Sequence, residues 1–221
     1  MAKPILGYWN IRGLAEPIRY ILHYKNVDFV DKRYHFDKDA EWKKEKFTLG
    51  LDFPNLPHYI EGDLKLTQSS AILRYVARKY GLDGKDDQEK LRVALAEQQI
   101  TDLHYSLVYL VKSSDYEAAK KEFVKNLPIQ LKRWNNFLGD RKFLAGDNLT
   151  YVDFMAYDVF DFIRIIHESA LDDFPAILAF QNRIKSIPEL QDYMKSPMYI
   201  KWPIFDPNVR FGGGGDPPKH L

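Results

Sequence analysis

Apolar residues recur along the chain with two different periods, and the change of period divides it in two. Over residues 3–80, short apolar runs alternate with amphipathic stretches. Ile5-Leu6-Gly7-Tyr8 reads as a short strand. Ala15 to Lys25 reads as a helix with Pro17 in its first turn, where a missing N–H costs little. Val27 to Phe36, rich in β-branched and aromatic residues, predicts a second strand, and Ala40 to Phe47 a short charged helix. After the loop from Gly50 to Leu56, Pro57–Ile60 and Leu64–Thr67 pair across Glu61-Gly62-Asp63, which is hairpin turn chemistry. Ser69 to Tyr80 closes the unit as a helix. The order βαβ, a helix-containing connection, then ββα predicts an α/β domain over residues 1–81.

Beyond this unit the pattern changes. The polar stretch GLDGKDDQEK carries two glycines and predicts a linker over 82–90. An all-helical domain then spans 91–206, with helices near 88–113, 116–138, 151–167, 174–186 and 189–195. In the third, Val152, Met155, Val159, Phe162 and Ile166 recur at the helical period. The final segment, 207–221, contains FGGGGDPPKHL, which supports neither helix nor sheet and is expected to be flexible.

Composition narrows the chemistry. The chain has 221 residues, 45% hydrophobic and 29% charged, and its 32 basic and 31 acidic residues leave a net charge of +1. That balance carries no electrostatic footprint for nucleic acid or an anionic membrane. No apolar run approaches a membrane span, and no signal-peptide core is visible, so the cytoplasm is the expected compartment. There are no cysteines. Disulfides, thiolate metal sites and a cysteine nucleophile are excluded, and any thiol chemistry needs a thiol that arrives on a ligand. The six histidines show no metal-ligand spacing, and none of the P-loop, GxGxxG or GxSxG patterns is present. The run of four glycines at 212–215 follows no strand and opens no helix, so it is no phosphate cradle.

Four stretches hold candidate chemistry. Thr150-Tyr151-Val152-Asp153 reads as a capping box, with Leu149 and Phe154 as a hydrophobic staple; this is a folding element. Leu56-Pro57 leaves two readings open: a trans proline opening an edge strand, or a cis bond that frees the Leu56 backbone to pair with an extended peptide. Gln68-Ser69-Ser70 opens a helix, so a serine N-cap and a carboxylate-binding helix terminus are both compatible with it. Asp102, Tyr105, Tyr109 and Lys112 share one helix face, which is either a solvated stripe or a cleft wall.

Together these pieces resemble the cytosolic glutathione transferases. ILGYWNIRGLAEPIR, KFTLGLDFPNLPHYIEGDLKLTQSSAILRYVARKY and LTYVDFMAYD are similar to signatures of the mu class in order and spacing. The resemblance implies a thioredoxin-like N-terminal domain followed by an all-helical one, a homodimer, and a cis Leu56-Pro57 bond. It implies that the Tyr8 hydroxyl donates to the glutathione sulfur. It assigns Trp9, Trp42, Lys46 and Asn55 to the glycine end of the tripeptide, the Leu56 backbone to the cysteinyl unit, Gln68 and Ser69 to the γ-glutamyl end, and Leu14 to the border of the thiol. Asp102 is expected to reach the γ-glutamyl ammonium across the dimer. Phe53 resembles an aromatic key that inserts into the other subunit, and Arg74 a residue near the two-fold axis. No cofactor or metal is implied; glutathione is a co-substrate.

The chain departs from the mammalian pattern in two places. Tyr34 to Asp39 runs almost directly to Trp42, a short form that resembles invertebrate mu-like enzymes, as does the glycine-rich tail. Lys112 stands where many mu enzymes carry a second tyrosine, and a flexible, strongly hydrated ammonium is a poorer donor to an epoxide or enone oxygen. Tyr105, Tyr109, Lys112 and Phe205 are the expected electrophile pocket. The expected function is conjugation of glutathione to hydrophobic electrophiles, with a non-catalytic ligand carrier or a structural protein of the same fold as alternatives.

Overall fold

The computed structural model describes residues 2–221. Its first half is built on a four-stranded mixed sheet. Strands β1 (Ile5–Trp9), β2 (Val30–Tyr34), β3 (His58–Glu61) and β4 (Leu64–Thr67) lie in the order β2-β1-β3-β4. β1 pairs parallel to β2, and antiparallel pairs join β1 to β3 and β3 to β4. Helix α1 (Glu16–Tyr24) makes the crossover between the parallel strands, α2 (Ala40–Glu45) lies in the connection to β3, and α3 (Ser69–Lys79) follows the hairpin. This is the thioredoxin-like arrangement.

β2 is shorter than the apolar run predicts. Asn26 adopts a positive φ of 50°, and the Val27 amide bonds back to Leu22, so residues 25–27 form the exit turn of α1. At the other end, Phe36–Lys38 fold into a single 3-10 turn. Apolar content marked the segment, but local turn bonds trimmed both ends.

Ile18, Ile21 and Leu22 recur at helical spacing on α1 and are fully buried, with Pro17 in the first turn. α1 packs on α3, and also on α6 (Tyr151–Ile166) and α8 (Pro188–Lys195) of the helical half. α6 is buried on nearly every side and runs through the centre, against α4 (Asp87–Lys112) and α7 (Pro175–Lys185); α5 (Tyr116–Leu138) packs on α4 and α7. The capping box is formed: Asp153 accepts from the Thr150 amide at 2.7 Å, the Thr150 hydroxyl at 2.9 Å and the Leu144 amide at 2.8 Å.

Buried charge ties the two halves together. Arg12, fully buried just past β1, donates to Asp158 at 2.6 Å and Asp161 at 2.8 Å, both on α6. Glu16 on α1 accepts from Tyr193 of α8 at 2.9 Å and from Arg19 at 3.1 Å. Removing one partner of such a pair strands a buried charge, at a cost of about 3–5 kcal/mol. The end of β1 that carries Tyr8 is thereby held against α6 and α8.

The C-terminal tail has no helix or strand, as its composition predicts, but its first half is tied down. The Ile204 and Phe205 amides bond to the Gly212 carbonyl, the Arg210 amide bonds to Val111, and Phe211 stacks on Tyr116.

Candidate active site

Tyr8 sits at the penultimate position of β1, where strand alternation sends it and Trp9 to opposite faces. Trp9 lies flat on Phe36, with ring centroids 4.4 Å apart. Tyr8 is buried, and its phenol oxygen accepts the Leu14 N–H at 3.2 Å. With that lone pair engaged, the hydroxyl hydrogen is free to point into the adjoining cavity. Burial raises the phenol's pKa and the Asp206 charge adds to this, against smaller opposing effects of the Leu14 amide and Arg19. The group stays a neutral donor across the physiological range.

The cavity beside it has a volume of about 220 Å³. It brings together five of the expected residues: Tyr8, Trp9, Leu14, Lys112 and Phe205. Ile11, Gly13, Phe36, His104, Val108 and Asp206 complete the wall. A smaller, adjoining cleft joins Leu14 and Ser69 to Tyr105, with Thr101, His104 and Asp158 beneath them.

Of the expected helix stripe, Lys112 lines the Tyr8 cavity and Tyr105 the adjoining cleft. His104, Val108 and Lys112, at spacings of four, line the Tyr8 cavity. Tyr109 is 73% exposed and lines neither cavity, and Asp102 faces a groove toward α5 with Leu103 and Phe123. Sequence spacing alone can mark His104, four residues before Val108 and eight before Lys112, as a further residue of this face. Burial lowers its pKa, with a weaker opposing pull from Asp158, so the ring that lines both cavities is neutral at neutral pH.

The expected tripeptide residues lie on the same side of the sheet as α2 or at the start of α3. Tyr59 meets Tyr75 of α3, so its neighbour His58 faces the other way, toward α2, where it stacks on buried Trp42 with centroids 5.9 Å apart. Gly7 makes room for that ring: a Cβ there would lie 2.1 Å from His58 Nε2. Glu45 anchors α2 to β2, accepting from Lys32 at 2.6 Å and from the Tyr34 hydroxyl at 2.8 Å. The Lys46 ammonium sits over Trp42, 5.9 Å from the ring centroid. Asn55 accepts the Leu56 amide through Oδ1 at 2.9 Å, and the Leu56-Pro57 bond is cis. Gln68, not a serine, holds the N-cap position of α3, with φ of 70° and no side-chain cap bond. The first amides of α3, beginning at Ser69, are thus left open to an anion.

The expected interface residues are also placed. Phe53 is 72% exposed in its loop. Arg74 donates to Glu97 at 2.8 Å, and Glu97 also accepts the Tyr151 hydroxyl at 2.6 Å.

Models of the glutathione S-transferase N-terminal domain and C-terminal domain match residues 4–78 and 101–197. The chain belongs to the glutathione S-transferase family, and is an enzyme of the transferase type. Among its curated relatives is glutathione S-transferase Mu 1 of Mus musculus, 46% identical, the match covering 91% of this chain and 94% of the relative. Another is the class-mu 26 kDa isozyme of Schistosoma japonicum, 41% identical, covering 98% of this chain and all of the relative. Among solved structures, the glutathione S-transferase Blo t 8 superposes with a TM-score of 0.88 at 33% identity, covering 94% of this chain and 99% of that one. A pi-class enzyme of Onchocerca volvulus gives 0.85 at 30% identity, covering 94% and 100%. Its class is mu.

Proposed function

We propose that this transferase joins the sulfur of reduced glutathione to hydrophobic electrophiles, with the thiolate held by the Tyr8 hydroxyl. The arrangement of Tyr8 carries this reading: a buried neutral phenol, its oxygen bonded to the Leu14 amide, its proton free toward the cavity. A free thiol with a pKa near 8.5 is only a few per cent ionised at neutral pH. A hydrogen bond to the charged form lowers that pKa, and each unit corresponds to about 1.4 kcal/mol. The thiolate attacks the electrophilic carbon, a C–S bond forms, and the displaced group leaves with its electron pair. No covalent bond to the protein is made; the protein contributes thiolate stabilisation and positioning.

The tripeptide lies along the Leu56 backbone as an added strand, its glycine end toward Trp9, Trp42, Lys46 and Asn55, and its γ-glutamyl end at Gln68 and the open amide of Ser69. The electrophile occupies the cavity walled by Phe205 and Lys112, with Tyr105 in the adjoining cleft. The direct test is product formation from glutathione and a neutral aryl halide. A thioether product, lost in Tyr8→Phe, supports the reading. Glutathione binding without turnover leaves the ligand-carrier function in its place.

The working form in this reading is a homodimer in the cytoplasm. Several features of one chain support the assembly. Phe53 is an exposed aromatic on a loop, and a 130 Å³ cavity between α4 and α5, lined by Leu95, Ala96, Trp134 and Phe137, suits an aromatic ring. Leu91 and Leu95 lie exposed on α4 beside it. Asp102 is set apart from its own chain's cavity, which suits a residue that serves the glutathione of the other subunit. Arg74 keeps its guanidinium half exposed while bonded to Glu97, which suits a residue near a two-fold axis.

A further inference from the structure

Phe205 and Asp206 form one wall of the Tyr8 cavity, yet neither stands on a helix or strand. Something else must fix them. The Ile204 and Phe205 amides both donate to the Gly212 carbonyl, at 2.8 and 2.9 Å, closing residues 204–212 into a loop. The Arg210 amide donates to Val111 at 2.8 Å and seats that loop on the last turn of α4, beside Lys112. Trp202 Nε1 donates to the Gly215 carbonyl at 3.0 Å and to Gly214 at 3.3 Å, holding the far end.

Only glycine fits at the crossing point. Gly212 is buried with φ of +89°, and a Cβ there would come within 3.1 Å of the Phe205 ring. Gly213 is also buried, and its Cβ would lie 2.2 Å from the Asp206 carbonyl oxygen and 2.9 Å from Val209. Real Cβ atoms do not approach backbone that closely, so any side chain at 213 displaces Asp206. Gly214, one residue on, has nothing within 4 Å of an added Cβ and needs no unusual φ. The steric requirement therefore falls on Gly212 and Gly213; Gly215 has open space around an added Cβ and is constrained only by its φ of +67°, and Gly214 by neither.

The same loop continues to the phenol. The Gly13 amide donates to the Ile204 carbonyl at 2.9 Å, and the next amide, Leu14, donates to the Tyr8 oxygen. A chain of backbone hydrogen bonds thus joins Gly212 through Ile204 and the Gly13-Leu14 turn to the hydroxyl group.

We propose that Gly212 and Gly213 are positioning residues for the second substrate: by letting the tail cross under residues 204–206 they set the Phe205–Asp206 wall, and through it which electrophiles the cavity accepts. This rests on the reading of the Tyr8 cavity as the site of conjugation. The tail is a built part of the site, and its glycines are a steric requirement.

The test uses full-length wild type, Gly213→Ala, Gly214→Ala and Trp202→Phe. Two affinities are measured by calorimetry, for glutathione and for S-hexylglutathione, which carries an apolar chain on the sulfur. The electrophile kcat/KM for an aryl halide at saturating glutathione is measured alongside. Gly213→Ala is expected to keep glutathione affinity within about twofold, and to lose about tenfold in S-hexylglutathione affinity and in kcat/KM. Gly214→Ala is expected to match wild type in all three. Trp202→Phe, which removes the Nε1 donor and part of the ring that packs on Phe211, shifts the same two quantities in the same direction by less. If Gly213→Ala loses glutathione binding altogether, through failure to fold, Trp202→Phe decides. An unchanged ratio of the two affinities in Gly213→Ala and Trp202→Phe overturns the proposal, as does an equal loss in Gly214→Ala. A wild type that binds both ligands without turnover sinks the transferase reading alone, because the affinity ratio still reports the wall.

Discussion

The amide nitrogen of Leu14 lies 3.2 Å from the phenol oxygen of Tyr8 and donates to it. That bond depends on Gly13, whose φ is +46° and where a Cβ would stand 2.7 Å from the same oxygen. Gly13→Ala is expected to push the ring off its position. We expect kcat to fall about tenfold, since a displacement near 1 Å at reacting groups costs one to two orders of magnitude. Glutathione affinity, carried mainly by contacts away from the thiol, changes far less. Comparing kcat with the glutathione dissociation constant separates the two.

Acid sensitivity should arise at His58. The ring is buried between Gly7 and Trp42, and burial lowers its pKa from 6.5 to about 4, against a weaker opposing pull from Glu45. The folded state therefore binds fewer protons than the unfolded state between those values. Stability is fully present above pH 6.5 and is lost as pH falls toward 4, by about 3 kcal/mol for this group. His58→Phe keeps a ring against Trp42 but cannot titrate. Urea unfolding midpoints measured from pH 7 to 4 should fall less steeply in the variant.

Much of this site was legible from residues alone, and the reasons are local. Strand periodicity placed Tyr8 at the end of β1, and Thr150 with Asp153 announced the start of α6, because both signals act over a few residues. Others needed the folded chain. Asp102 and the tyrosines are the conspicuous residues of α4, but which of its residues meet the sheet domain depends on how α4 packs on α6, the helix on which Arg12 docks. A serine N-cap was a fair reading of Gln68-Ser69-Ser70; a glutamine at φ of 70° has no sequence signature. The cis state of Leu56-Pro57 came from family resemblance, since X–Pro bonds are mostly trans. The tail read as flexible because glycine says nothing of the Phe205 and Asp206 atoms that exclude a side chain there.

The cap of α6 should be a stability element with no catalytic share. Asp153 receives three hydrogen bonds, from Leu144, Thr150 and the Thr150 hydroxyl. Thr150→Ala should cost about 0.5–2 kcal/mol. Asp153→Ala, which leaves two buried amides unpaired, should cost about 2–6 kcal/mol. Denaturant unfolding measures both losses. Activity per folded molecule at 25 °C is expected to stay at the wild-type level.

Assembly should be sensitive to one exposed ring. Phe53→Ser removes an apolar group that the chain leaves in solvent, so the monomer fold loses nothing, while an interface built on that ring is weakened. Sedimentation is expected to show a concentration-dependent shift toward monomer. Activity per subunit falls with it, because Asp102 would no longer reach the neighbouring site.

The most direct test of the central claim is a titration of the bound thiol. Glutathione is bound to wild type and to Tyr8→Phe, and thiolate absorbance is followed against pH. The account predicts a thiol pKa well below the free value in wild type, returning by about one to two units toward it when the hydroxyl is removed. An unshifted thiol in wild type, or the same low pKa in Tyr8→Phe, would contradict it.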